Sequence, residues 1–228
     1  MFEKKLFFVS CQALKGEALY GKDIVVKLAK AAIQGGAQGL RTSQIKNIKA
    51  LIRANFNVPI IGIIKQNYPN SDVYISPTLK EMKKLIKTGV QIIAIDATLR
   101  KRPKESLNQI VDYFFKHKKS HQLLMADCSS IEDVNNAIKL NFDIIGTTLR
   151  GYTEDTKNFS NTDDNYLFLR QVLKICQQNK KYLIAEGGFN SPQNAKDALD
   201  IGANAVVVGS AITRPQFITK MFYEKINS

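Results

Sequence analysis

Lys65 closes the apolar run Ile60-Ile61-Gly62-Ile63-Ile64, where a solvated lysine would gain nothing. A lysine at such a place serves as a general base, a Schiff-base nucleophile or an anion ligand, unless it only snorkels out to water. To act as a base it must be neutral. Bringing an ordinary lysine pKa of ~10.4 down by ~3 costs ~4 kcal/mol, which burial and a nearby cation can supply. Arg41, at the end of another apolar run, is the candidate cation. An ionised Glu186 beside Lys65 would oppose the shift, so Glu186 and Asp127 are expected to be distant, protonated or engaged elsewhere.

Other runs also end in polar residues: Ser10-Cys11-Gln12, Ala126-Asp127, Gly146-Thr147-Thr148, Ala185-Glu186-Gly187 and Val208-Gly209-Ser210. Gly187-Gly188 lead to a helix start at Ser191-Pro192, and Arg214 follows Gly209-Ser210 at short range. Glycines let backbone N–H groups approach an anion closely, and helix N-termini add partial positive charge. Gly187, Gly188, Gly209, Ser210 and Arg214 are therefore expected to hold a phosphate. Arg100 and Arg102 are expected to extend the cationic mouth.

These residues need a scaffold that gathers strand ends. Eight β-prone runs occur near Leu6 to Ser10, Gln38 to Arg41, Ile60 to Ile64, Gln91 to Asp96, Gln122 to Ala126, Asp143 to Gly146, Tyr182 to Ala185 and Ala205 to Val208. Segments of helical period alternate with them, among them Asp23 to Ile33, Gln44 to Ala54, Thr78 to Lys87, Ser130 to Leu140, Asn165 to Gln178, Ser191 to Ile201 and Pro215 to Ile226. About 28 residues per unit, with Val- and Ile-rich strands, points to a (β/α)8 barrel in one α/β domain, residues 1–228. An open doubly wound sheet would carry G-x-G-x-x-G after the first strand, where this chain has Ser10-Cys11-Gln12-Ala13-Leu14-Lys15-Gly16. In such a barrel Lys65 and Glu186, on strands four apart, face each other across the mouth.

The 228 residues are 44% apolar and 23% charged, which excludes disorder. A net charge of +13 invites a nucleic acid, an anionic membrane or a phosphorylated small molecule. Solvated helix lysines account for most of it, and the basic run Arg100-Lys101-Arg102-Pro103-Lys104 lacks the interleaved aromatics of a nucleic-acid surface. Cys11, Cys128 and Cys176 fit neither a disulfide framework nor a zinc ribbon, so a reducing, cytoplasmic setting is expected. His117 and His121 lack a third ligand, and no metal is expected. No run approaches the ~18 to 20 apolar residues of a membrane span.

At these residues the chain resembles the N-acetylmannosamine-6-phosphate 2-epimerase family. The likeness runs through SCQALKGEALY (10–20), GGAQGLR (35–41), PIIGIIK (59–65), YPNSDVYISPTLKE (68–81), IIAIDATLRKRP (92–103), LLMADCS (123–129), FDIIGTTLRGYT (142–153), IAEGGFNSPQNAKDAL (184–199) and GANAVVVGSAITRP (202–215). It implies a TIM barrel of the ribulose-phosphate-binding type that inverts C2 of an N-acetylated amino-sugar 6-phosphate in amino-sugar and sialic acid breakdown, without cofactor or metal. It also implies Lys65 and Glu186 as catalytic residues, with Gln12, Arg41 and Asp127 on the sugar and acetamido group. Gly188, Gly209, Ser210 and Arg214 fall where the phosphate is held, and Thr147 and Gly187 join the substrate-binding set. The expected partner is the sugar phosphate, not nucleic acid or membrane; many barrels dimerise, so a homodimer is one possible assembly, which the sequence does not decide.

Two other readings compete. Lys65 could form a Schiff base with a sugar-phosphate carbonyl, making the protein an aldolase or lyase. The basic excess could instead mark a non-catalytic nucleic-acid binder, which leaves the ordered polar mouth unexplained.

Overall fold

The β-branched runs form strands whose side chains alternate between two faces, and both faces are covered by apolar groups. The computed structural model describes residues 2–13, 16–21 and 23–228; Leu14 and Lys15 of the 10–20 block lie outside these. Eight parallel strands close into a barrel in the order β1-β2-β3-β4-β5-β6-β7-β8. They are β1 (Leu6–Ser10), β2 (Gly39–Ser43), β3 (Ile60–Ile63), β4 (Ile92–Asp96), β5 (Leu123–Asp127), β6 (Ile144–Gly146), β7 (Tyr182–Glu186) and β8 (Ala205–Val208). β8 pairs with β1 from Leu6↔Ala205 to Val9↔Val208, which closes the ring.

The helices are α1 (Ile24–Gln34), α2 (Ile45–Ala54), α3 (Leu79–Thr88), α4 (Leu107–His117), α5 (Ile131–Lys139), α6 (Asp163–Gln178), α7 (Pro192–Ile201), α8 (Ser210–Thr213) and α9 (Pro215–Ile226). Their ends follow local chemistry. Ser191 accepts from the backbone N–H of Asn194 with Pro192 in the first turn, and Gly89 terminates α3 at φ 78°. The helix expected from Asn165 starts irregularly, because Asp164, Asn165 and Tyr166 have φ of 48°, 54° and 62°. No helix among the described residues is long and apolar enough to cross a membrane.

The two-residue period of the strands sorts the core. Leu6 and Phe8, Ile61 and Ile63, Ile92 and Ala94, Ile184, and Ala205 and Val207 fill the barrel interior. Their strand neighbours Val9, Leu40, Ile60, Ile93, Leu183 and Val206 pack outward against the helices. Continued toward the carboxyl ends, by one step on most strands and by two on β6, the inward positions become Ser10, Arg41, Lys65, Asp96, Asp127, Thr148, Glu186 and Gly209. The apolar plug thus ends in a polar layer.

Candidate active site

A cavity opens at the carboxyl ends of the strands. Gln12, Arg41, Lys65, Glu186, Gly187, Gly188, Gly209, Ser210 and Arg214 all line it. β3 and β7 lie four apart in the ring, so Lys65 and Glu186 enter it from opposite sides.

Arg41 organises the charges. Its guanidinium is 1% exposed and grips Asp127 with both terminal nitrogens, at 3.1 and 2.7 Å, while Nη1 also donates to Glu186 Oε2 at 2.7 Å. Burial works against its charge, but Asp127 and Glu186 more than offset this and hold its pKa above the ordinary value. The question of where the two carboxylates go is thereby answered: both are engaged by Arg41. Asp127 is fully buried, accepts also from Thr148 Oγ1 at 2.6 Å, and is not itself part of the cavity wall.

Glu186 has the weaker share. Its Oε2 takes the Arg41 bond and a long one of 3.4 Å from Thr148. Burial pushes its carboxyl up to about 7; Arg41 opposes the rise and the neighbouring Asp127 adds to it. Lys65 moves the other way, down to about 8, through burial first and then repulsion from Arg41 and Arg214, with Glu186 and Glu17 pulling back. A lysine and a carboxylic acid with values this close to neutrality can exchange protons with a substrate carbon at pH 7.

The opposite rim suits an anion. Gly187 and Gly188 have φ of 98° and 78°, and a Cβ on Gly187 would stand 2.9 Å from the Thr148 carbonyl oxygen. Glycine is needed there on both counts. Gly209 and Ser210 lead into α8, whose first N–H groups lack intrahelical acceptors. Arg214 pairs with Glu17 at 2.8 Å. Gln12 donates from Nε2 to Ser10 Oγ at 2.8 Å, and its buried Oε1 has no partner among the described residues.

Asp127, Thr147, Arg100 and Arg102, all expected at the substrate mouth, stand behind or outside the cavity wall. Thr147 is fully buried outside the cavity wall, where its hydroxyl donates to the Glu186 carbonyl at 2.9 Å; Thr148 occupies the wall instead. The reason is parity, since Thr148 shares the inward face with Ile144 and Gly146. Arg100 and Arg102 also stand outside the cavity, because Arg100 binds the Asp96 carboxylate at 2.7 Å and Arg102 the Asp96 carbonyl at 2.6 Å. His117 and His121 bond separately to the carbonyls of Tyr113 and Gly89.

Residues that sequence reasoning passed over complete the wall. Tyr74 and Ile75 approach from the loop after Lys65, and Tyr152, 58% exposed, stands at the rim. Behind it, the fully buried Asn161 amide donates to the carbonyls of Thr147, Glu186 and Gly187 at 3.2, 2.9 and 2.8 Å, tying β6 to the turn after β7. Nothing distinguishes Asn161 from its polar neighbours in sequence.

Residues 25–228 match a family model described as "Putative N-acetylmannosamine-6-phosphate epimerase". A protein of Malacoplasma penetrans described as "Putative N-acetylmannosamine-6-phosphate 2-epimerase" is 49% identical over 99% of this chain and 96% of its own length. A Listeria monocytogenes protein with the same description is 50% identical over 96% of this chain and 90% of its own. The solved N-acetylmannosamine-6-phosphate 2-epimerase of Clostridium perfringens superposes with a TM-score of 0.87 at 44% identity, covering 96% of this chain and 92% of that one. Thiamine phosphate pyrophosphorylase from Pyrococcus furiosus, at 13% identity and a TM-score of 0.60, shares the fold alone.

Proposed function

Because the chain belongs to the N-acetylmannosamine-6-phosphate epimerase family, we propose that it interconverts N-acetylmannosamine 6-phosphate and N-acetylglucosamine 6-phosphate by proton transfer at C2, without a cofactor. The observation that carries this reading is the Lys65 amine, lining the cavity with its pKa down to about 8 opposite a carboxyl near 7.

The C2 proton of the ring-opened sugar lies next to the C1 aldehyde and is acidic for that reason. Neutral Lys65 removes it, and the electron pair of the C–H bond passes to the C1 oxygen as an enolate. Return of a proton to the other face of C2, from the Lys65 ammonium after the substrate turns or from the Glu186 carboxyl on the opposite side, moves the electron pair back from the C1 oxygen and restores the aldehyde with inverted configuration. Glu186, with Asp127 behind Arg41, assists ring opening and orients the lysine. Arg41 has both terminal nitrogens committed to these carboxylates, so its main work is to hold Glu186 in place and lower the basicity of Lys65. The 6-phosphate is held by Gly188, Gly209, Ser210 and Arg214, and Gln12 Oε1 offers an acceptor to the acetamido N–H.

NMR of the enzyme with N-acetylmannosamine 6-phosphate in heavy water tests the reaction. Product carrying deuterium at C2 supports it, and the absence of both product and exchange overturns it. Borohydride trapping of a substrate adduct on Lys65 would favour the Schiff-base alternative. The three buried free thiols support a reducing, cytoplasmic setting in amino-sugar breakdown. For assembly we propose a homodimer: Phe222, Tyr223 and Ile226 of α9 remain exposed, and the mass in solution tests it.

A further inference from the structure

β4 and β5 pair over five residues each, from Ile92↔Leu123 to Asp96↔Asp127. β3 and β4 pair only through Ile61↔Ile92 and Gly62↔Ile93. Beyond that point the chain after Lys65 doubles back and fills the gap. Lys65 and Ile75 form an antiparallel bridge, Gln66 N–H donates to the Tyr74 carbonyl at 3.0 Å, and Ser76 N–H donates to the Ile64 carbonyl at 2.7 Å. On the other flank Asp96 N–H donates to the Ile75 carbonyl at 2.9 Å.

The Ser76 hydroxyl joins the two sides. It accepts from Ile64 N–H at 3.2 Å, on the β3 side, and donates to the Ala94 carbonyl of β4 at 2.9 Å. Ser76 is fully buried and has φ 48°, a left-handed conformation that a non-glycine residue keeps only where its surroundings over-determine it. Here four hydrogen bonds to Ile75 and Ser76 do so. The wedge they anchor brings Tyr74 and Ile75 into the cavity wall beside Lys65, while Gln44 Nε2 holds the Lys65 carbonyl from the β2 side at 2.9 Å.

We propose that Ser76 is a positioning residue: its hydroxyl locks the Tyr74–Ser76 wedge between β3 and β4, and the wedge aims Lys65 into the cavity and shields its amine from water. The proposal rests on the reading of Lys65 as the base. The charged and titratable groups around that amine or in the same cavity wall are Arg41 from β2, Glu186 from β7, Arg214 after α8, Glu17 from the loop after β1, Tyr152 from the loop after β6 and Tyr74 from the wedge itself.

The test is a titration of the Lys65 Cε resonance in enzyme carrying 13C-lysine, assigned by its loss in Lys65→Arg. In Ser76→Ala both side-chain bonds go, water reaches the amine, and the titration moves from about 8 toward the ordinary lysine value. A rise of one pH unit lowers kcat near pH 7 by ~10-fold, shifts the rising limb of the kcat profile equally, and leaves KM within about twofold. Ser76→Gly, which relieves the φ but lacks the hydroxyl, behaves like Ser76→Ala; wild-type behaviour of the glycine variant overturns the hydroxyl lock. Should Ser76→Ala not fold, Tyr74→Ala thins the same shield and moves the titration in the same direction. An unmoved Lys65 titration in the folded variants overturns the proposal, even if activity falls. Full turnover by Lys65→Ala would instead overturn the base reading, and the titration still decides the wedge.

Discussion

Two buried clusters of guanidinium and carboxylate sit side by side at the carboxyl ends of the strands, and they divide their charges in opposite proportions. In one, Arg41 serves both Asp127 and Glu186. In the other, Asp96 receives Arg100 and two bonds from Thr98 on its carboxylate and Arg102 on its carbonyl. Asp96 and Asp127 are register partners on adjacent strands, so the two clusters start from the same level of the barrel. What differs is the ratio of charges. With one cation for two carboxylates, Glu186 is pushed up to about 7 by burial and by the neighbouring Asp127; burial raises the Asp96 carboxyl as well, but there Arg100, Thr98 and Arg102 oppose the rise.

That comparison can be broken at several points. Lys65→Met, beside the carboxylate-rich cluster, should lower turnover by ~10³-fold while raising the melting temperature. The sign follows from a pKa held down near 8: the folded state binds this proton less well than the unfolded chain, so the native protein gains stability as pH rises from about 8 to 10.5. A neutral methionine removes that cost at pH 7, and a lowered melting temperature would contradict the account. Arg41→Met strands two buried carboxylates and should cost about 3–5 kcal/mol in urea unfolding, with partial recovery on acidification.

Arg100→Ala should cost about 1–3 kcal/mol yet leave KM for the sugar phosphate within about twofold; a large rise in KM would return Arg100 to the substrate mouth. Glu186→Gln gives the smallest stability effect and the most specific. The Glu186 carboxyl is raised from 4.5 to about 7, so it favours the fold when protonated, and that contribution fades as pH climbs through this window. The glutamine variant should show a flatter urea midpoint between pH 5 and 8, and an unchanged slope would remove Glu186 from the proton-accepting role.

The strands were legible because Ile and Val runs recur at one βα spacing, and their observed ends lie within two residues of the expected ones, with β1 and β8 matching at both ends. α4 lies outside the segments marked by helical period, although its start carries a signal in residue types, the capping box of Ser106 and Gln109. Thr147 and Thr148 are alike as residue types, and only parity with the inward Ile144 and Gly146 puts Thr148 rather than Thr147 in the cavity wall. The saturation of Arg100 and Arg102 by Asp96 could not be read, since cationic side chains look alike until their partners are placed. Asn161 and Ser76 act through backbone atoms of distant strands, a kind of contact that leaves no residue-type signature.

The pairing of β8 with β1 also sets a timetable. Gln12, Arg41 and Lys65 leave the ribosome early, whereas Glu186, Gly209 and Arg214 come near the end of the chain. The Arg41–Glu186 bond spans 145 residues and the Thr213–Ser10 bond 203. Arg41 therefore waits through most of synthesis without its second carboxylate, and Lys65 and Glu186 face each other only after the ring has closed. Chains truncated before β8 should be inert however well their first seven units fold, so that completion of the barrel serves as quality control over activity.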